Sequence, residues 1–190
     1  IYNPTLDSTT DYIDNFAYKN INTISKDQNS RFWIGGAFPN GVIQIMDSQL
    51  ELNHLLDYAN FDNIEKIVFT ENFAFASCFY NNKYGIVKYS NTDNPNYLNF
   101  FDNFPYDNIS INDIVTYNDT LLIATNNGLL KGYTNSEFLL FSDSWITDYE
   151  GSFIDKIYID YDDIYMIVDN DIIKNDNIIF NLESNSKILK

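Results

Sequence analysis

Four similar stretches recur along the chain, and their even spacing limits what it can fold into more than any other feature. The clearest copy is Thr120-Leu121-Leu122-Ile123-Ala124-Thr125-Asn126-Asn127-Gly128-Leu129-Leu130-Lys131. Two apolar, partly β-branched runs flank Asn126-Asn127-Gly128, and Asn and Gly reach positive φ at little cost, as a tight turn requires. The stretch reads as a β-hairpin. Its turn residue Gly128 has counterparts at Gly41, Gly85 and Asp171, so that successive anchors lie 44, 43 and 43 residues apart.

Each repeat holds room for about four short strands separated by polar turns. In the first unit these are Ile21–Ser25, Arg31–Gly35, Val42–Met46 and Leu50–Leu55, with turns at Asp27–Ser30 and Pro39-Asn40-Gly41. The second has Ile64–Phe69, Phe73–Phe79, Gly85–Tyr89 and Asn96–Phe101, turning at Glu71-Asn72 and Asn81-Asn82. The third has Ile111–Tyr117, Thr120–Thr125, Leu129–Lys131 and Glu137–Phe141. The fourth has Ile154–Asp160, Ile164–Val168, Ile172–Lys174 and Ile178–Leu182. Helical spacing of apolar residues is nearly absent, which leaves all-β classes. A period of about 40–50 residues with four strands per repeat is the pattern of β-propeller blades. One such sheet cannot bury both faces alone, so neighbours must stack around an axis. The expected fold is therefore an all-β β-propeller of about four blades of four antiparallel strands. A two-layer β-sandwich is the alternative. Residues 1–19 form a lead-in segment with a short strand expected at Tyr12–Phe16, and the blades divide as 20–61, 62–107, 108–151 and 152–190.

Composition narrows the function. Tyr and Phe contribute 15 residues each, far more large apolar surface than a disordered chain carries. The formal charge of −16 gives a field that repels nucleic acid and anionic membrane surfaces. No apolar run approaches the roughly 18 residues of a membrane-spanning helix, and no signal-peptide pattern opens the chain. A start at Ile1 instead of Met suggests a processed protein or a piece of a longer one.

Candidate chemistry is sparse. His54 is the only histidine, so any Ser-His-Asp or Cys-His arrangement has to use it. Cys78, the only cysteine, lies in the apolar run Phe73–Phe79 and reads as a small buried hydrophobe. Asp160-Tyr161-Asp162-Asp163 and Asp169-Asn170-Asp171 supply hard oxygen atoms of the kind Ca²⁺ takes, without the Asp-x-Asp-x-Asp-Gly loop that would organise them. Two sequons, Asn108-Ile109-Ser110 and Asn118-Asp119-Thr120, read as turns. Trp33 and Trp145 suit either an aromatic platform for a ligand or the wedge between stacked sheets, and the wedge is the expected place. No catalytic, cofactor-binding or metal-binding residue is assigned.

The segment Ile21–Gly36, with Asp27-Gln28-Asn29-Ser30, then Trp33-Ile34-Gly35-Gly36, then the closing Asn40-Gly41-Val42-Ile43, resembles the two-component-regulator propeller repeat. That repeat runs as an apolar strand, an Asp-x-x-Gly-like turn, a Trp-(Ile/Val)-Gly strand and an Asn-Gly-Leu hairpin. Asp113–Leu129 is similar to it again. Ser30 stands where the turn Gly would be, and Trp33 is matched by no Trp in the later units. The resemblance covers roughly Asn20 to Lys174, with two good copies and two eroded ones.

It implies a propeller of the kind found in sensor ectodomains of bacterial hybrid kinases and in secreted or cell-surface proteins, including an accessory of the type IX secretion machinery. Such propellers usually have more than four blades. The resemblance therefore implies a part of a larger propeller, completed by further blades or a partner chain, and Lys187-Ile188-Leu189-Lys190 begins a new apolar run. No catalytic residues carry over, because the repeat motif is itself structural. The expected role is a non-enzymatic binding or scaffold module, presenting loops to a protein or glycan partner outside the cell, on its surface or in the periplasm. The alternative is part of a polysaccharide-active hydrolase or lyase. Convergent carboxylates around a deep axial pocket would favour the enzyme, and a shallow funnel of uncharged side chains the binder.

Overall fold

A computed structural model describes residues 20–181 and the short pair β1 (Tyr2–Asn3) and β2 (Ser8–Thr9); the side chains of 38–40 and 57–60 are outside the description. The strand expected at Tyr12–Phe16 and the run Lys187–Lys190 lie outside the described residues. The regular structure among the described residues is antiparallel β-strand, apart from two 3₁₀ turns.

The first two units join in one six-stranded sheet, ordered β3 (Asn20–Lys26), β4 (Phe32–Met46), β5 (Leu52–Phe69), β6 (Phe73–Tyr80), β7 (Lys83–Ser90) and β8 (Tyr97–Phe101). The third unit is a four-stranded sheet of β9 (Ile111–Tyr117), β10 (Thr120–Thr125), β11 (Gly128–Tyr133) and β12 (Ile146–Asp148). The fourth comprises β13 (Ile154–Asp160), β14 (Asp163–Val168), β15 (Asp171–Lys174) and β16 (Asn177–Asn181). In both four-stranded sheets each strand pairs with its sequence neighbour.

Turn chemistry explains most of the boundaries. Asn81 and Asn82 both have positive φ, at 49° and 61°, as a two-residue hairpin turn requires. Gly128 opens β11 at φ 118° and pairs with Thr125, and Asp171 opens β15 paired with Val168, so these two anchors are equivalent. The sequons are turns as expected, with Asn108 at φ 54° and Asn118 at φ 51°.

Two expectations fail here. Gly85 is not a turn residue: it sits within β7, paired with Cys78, and the equivalent of Gly128 is Lys83. Pro39-Asn40-Gly41 lies inside the continuous strand β4, where Gly41 pairs with Phe61 and has no positive φ. A Cβ on Gly41 would come within 2.9 Å of the Asn63 backbone, so glycine is needed there for close approach of β5. Likewise the expected strand Leu50–Leu55 begins only at Leu52, and it and the expected strand Ile64–Phe69 are parts of the one strand β5.

A third expectation fails in the third unit. The sequence predicts an outer strand at Glu137–Phe141, but Phe138–Leu140 and Ser142–Ser144 form 3₁₀ turns and the fourth strand is β12. The reason is side-chain demand. Leu139 and Trp145 both dive into the core, 1% and 5% exposed, and the Trp145 indole N–H donates to the Leu139 carbonyl at 3.1 Å. An extended Phe138–Phe141 would alternate its apolar residues between faces and lose that packing.

Three apolar cores lie between successive units. The first holds Trp33, Ile43 and Ile45 of unit one against Ile64, Ile67 and Val87 of unit two. The second joins Phe75, Ile86 and Phe101 to Ile114, Leu121 and Ile123. The third joins Leu122, Ala124 and Leu129 to Ile154, Ile157 and Met166. The second and third units thus each bury one face against the unit before and the other against the unit after. Truncating Ile67, Ile114 or Ile157 to Ala should cost about 2–5 kcal/mol. Among residues that occupy similar places in the four units, Trp33, Ile34, Ile67, Phe75, Ile114, Leu122 and Ile157 are buried, Tyr165 is half-buried, and Ile24 is exposed.

Candidate functional site

The first strand of every unit carries the same irregularity. In β3, the first-strand part of β5, β9 and β13 the pairing register skips one residue, and the skipped residues are Asn22, Glu65, Asn112 and Asp155. These are β-bulges, which bend a strand and re-aim its side chains. All four bulged residues are polar, so the four first strands carry a hydrogen-bonding residue at one common level.

From these bulges side chains reach across to the next unit. Asn22 donates to the Ile64 carbonyl at 3.0 Å, and its counterpart Asn112 donates to the Ile154 carbonyl at 2.7 Å. Asn22 also bonds the Asn63 side chain, and Asn63 donates to Glu65 at 3.2 Å. Burial raises the Glu65 carboxyl above the usual range, with the Asn63 bond and the charge of Lys156 pulling it back. One residue beyond the bulge, Lys66 pairs with Asp113 of the following unit. Further on, Ser25 donates to the Ile67 carbonyl at 2.7 Å and Thr116 to the Phe69 carbonyl at 2.6 Å.

Past the bulges the four first strands line one open groove of about 600 Å³. β3 contributes Ser25 and Lys26; β5 contributes Lys66, Ile67, Val68 and Phe69. β9 adds Val115 and Thr116, and β13 adds Ile157, Tyr158 and Ile159. None of the lining residues is acidic, in a protein whose net charge is −16. Its polar groups are two ammonium groups and three hydroxyls, set among aliphatic and aromatic surface. Such a lining can hold a partner by stacking and hydrogen bonding, and it offers no carboxylate pair for glycosidic cleavage.

The residues singled out from the sequence do not meet there. His54 lies on β5, where its Nε2–H donates to the Asp93 carbonyl at 3.0 Å, away from Cys78. Cys78 is fully buried on β6, its thiol directed to the Gly85 carbonyl at 3.5 Å, and burial pushes its pKa far up. It is a core residue. The two acidic stretches sit at opposite ends of β14, so they do not converge. Asp163 pairs with Lys174 at 2.7 Å, and Asp169 accepts the Phe153 N–H at 3.0 Å. Among the described residues no cluster of three or more His, Cys, Asp or Glu is placed to hold a metal ion. Trp33 and Trp145 are both core: Trp33 is 0% exposed, packed edge-on to Phe69 at 5.5 Å.

The bulge residues escaped the sequence reading. Their spacing, 43, 47 and 43 residues, follows the repeat, but a bulge is defined by the partner strand and leaves only a polar residue where alternation would place an apolar one.

A second set of contacts locks the first two units together. Arg31 and Asp27, both buried, pair at 2.8 Å, and Asp27 also accepts the Trp33 indole N–H at 3.0 Å. Arg31 then donates to the Thr92 carbonyl at 2.6 Å and to the Asn91 side chain at 2.9 Å. Lys88 joins the second unit to the third, donating to the Thr134 carbonyl at 2.7 Å with its ammonium 3.8 Å from the Phe73 ring centre. These charges are consumed by structure.

No protein-family profile matches the chain, and no curated protein matches it in sequence. Solved structures do match in shape. The chain is similar to PorZ, described as an essential bacterial surface component of the type IX secretion system of Porphyromonas gingivalis, at TM-score 0.67 and 13% identity over 94% of this chain and 30% of PorZ. The chain thus spans less than a third of PorZ. It is similar also to the computationally designed protein Ika4, at TM-score 0.58 and 10% identity, over 86% of this chain and 94% of Ika4. The extracellular domain of a hybrid two-component system from B. thetaiotaomicron matches at TM-score 0.48 and 9% identity, over 86% of this chain and 27% of that one. At these identities the likeness to PorZ and Ika4 is one of fold.

Proposed function

We propose that the chain is a non-enzymatic binding or scaffold module of β-propeller type, its four units being blades and its groove the axial funnel, which takes a protein or glycan partner at the bacterial surface or outside the cell. The observation that carries this reading is the groove itself. Four equivalent strands converge on it, it is wide open, and its lining has no carboxylate. A hydrolase or lyase needs paired, differently tuned acids at its substrate. A binder needs a rigid surface with a few hydrogen-bonding groups among apolar ones. The shared fold with a bacterial surface component supports the setting.

The test pairs binding with turnover. The protein is applied to a glycan array and, in parallel, crosslinked to proteins of a bacterial envelope extract; the same polysaccharides are assayed for new reducing ends and unsaturated sugars. The expected result is saturable binding in one arm, weakened by Lys26→Ala in the groove, with no product released. Product release would overturn the reading, and so would absence of saturable binding in both arms.

A further inference from the structure

We infer that the wedge between the third and fourth units is a second binding site, shaped for a small aromatic amine, with the ring on an apolar floor and the ammonium group at Asp176. This goes beyond the proposed function, since none of the residues around the wedge lines the groove.

The first two junctions between units are filled with rings. Trp33, Phe61 and Tyr89 are buried in the first, and Phe75, Phe101 and Trp145 in the second, whereas the buried members of the third core are all aliphatic or methionine. Strand register shows what the third junction lacks. The hairpin pair Thr125–Gly128 of the third unit matches Tyr80–Lys83 of the second. Counting back along the strand from this pair puts Thr120 where the second unit has Phe75, and counting onward puts Lys131 where it has Ile86. Phe75 and Ile86 are both fully buried. The opposite wall lacks its plug too. After β11 the third unit runs through the 3₁₀ turns that carry Leu139 and Trp145 into the core. After β15 the fourth unit instead turns at once into β16, with Asn175 and Asp176 at φ 45° and 66°.

What remains is a cavity of about 310 Å³, the size of a site for a single-ring ligand. Leu122, Leu129 and Met166, all buried, make its floor together with Ile164, and a planar ring suits a wedge that the preceding junction fills with Phe75. Charge at the rim selects the rest of the ligand. Lys131 is paired with Asp148, and Lys174, beside the turn, is paired with Asp163 at 2.7 Å. Asp176 accepts the Tyr149 hydroxyl at 2.6 Å on one oxygen and is in no ion pair among the described residues. A carboxylate without a cation, next to an apolar floor in a protein of net charge −16, favours a cation with an apolar body and disfavours an anion.

Methyl-labelled protein titrated with three probes tests this: tyramine, 4-ethylphenol, which lacks the amine, and 3-(4-hydroxyphenyl)propionate, which has a carboxylate in its place. The expected result is saturable shifts at the methyl groups of Leu122, Leu129, Ile164 and Met166, with affinity falling in that order of probes. Asp176→Asn should weaken tyramine by about fivefold and leave 4-ethylphenol unchanged, as loss of one partly solvated ion pair implies. Thr120→Phe, which refills the wedge, should abolish the shifts with every probe. Circular dichroism melting checks that this variant folds, and Thr120→Leu, which should weaken all three probes, replaces it if it does not. Absence of saturable shifts, a carboxylate probe that binds as well as tyramine, or shifts that survive Thr120→Phe would overturn the inference. So would shifts at these methyl groups on raising the protein concentration alone, since a second copy would then be what fills the wedge.

Discussion

The carboxylate of Asp113 on β9 is paired with the ammonium of Lys66 on β5, and the pair crosses from the second unit to the third. Asp113 is 4% exposed, and its second oxygen accepts the backbone N–H of Ile157 on β13 at 3.0 Å. One side chain therefore ties together three consecutive first strands. A buried carboxylate is tolerable only with such partners. Because Lys66 keeps about a third of its side chain in water, the ion pair contributes less than a fully buried one would.

Coupling across this contact is measurable. A double-mutant cycle of Lys66→Met and Asp113→Ala, followed by urea unfolding, should give an interaction energy of about 1–3 kcal/mol. Additive effects of the two substitutions would mean that the second and third units do not meet along these strands.

Packing at the third unit makes a sharper expectation. A Cβ on Gly132 would lie 2.7 Å from both the Leu139 side chain and the Trp145 ring, the two residues that draw the chain into 3₁₀ turns. Gly132→Ala should destabilise the protein by about 1–3 kcal/mol, as overpacking of a filled core does. Trp145 fluorescence should report the disturbance. An unchanged melting temperature and emission would place Trp145 outside this core.

Glu65 provides the pH dependence. Its folded pKa is raised by burial, so between the unfolded value, 4.5, and the folded one the native state binds more protons, and the carboxyl contribution to stability is lost as pH rises through that window. Glu65→Gln removes the charge while leaving an oxygen to accept from Asn63. The variant should melt above the parent at pH 7, and the difference should vanish below pH 4.5. A variant that melts lower at pH 7 would show that the charge is used, by Lys156 or another cation.

Much of this architecture was readable from residues. The alternation of Ile, Leu and Val in Ile111–Tyr117 and Thr120–Thr125, punctuated by Asn118, marks strands and their turn because both signals are local. The antiparallel all-β outline and the order of the units follow from them. What failed is set by tertiary contact. Gly41 looks like a turn glycine but serves a close approach to Asn63. Phe138–Phe141 looks like a strand but yields to the burial of Leu139 and Trp145. The groove was invisible for the same reason: the bulges at Asn22, Glu65, Asn112 and Asp155 exist only relative to the strands opposite, and nothing local ties Lys66 to Asp113.

The arrangement of the four first strands side by side is the centre of the account, and nuclear Overhauser effects in isotope-labelled protein test it most directly. Radially stacked units should give cross-peaks linking each first strand to the next: Ser25 with Ile67, Phe69 with Thr116, and Asn112 with Ile154. Two sheets packed face to face as a sandwich would give none of these, and would instead connect first strands to the outer strands of a sheet opposite.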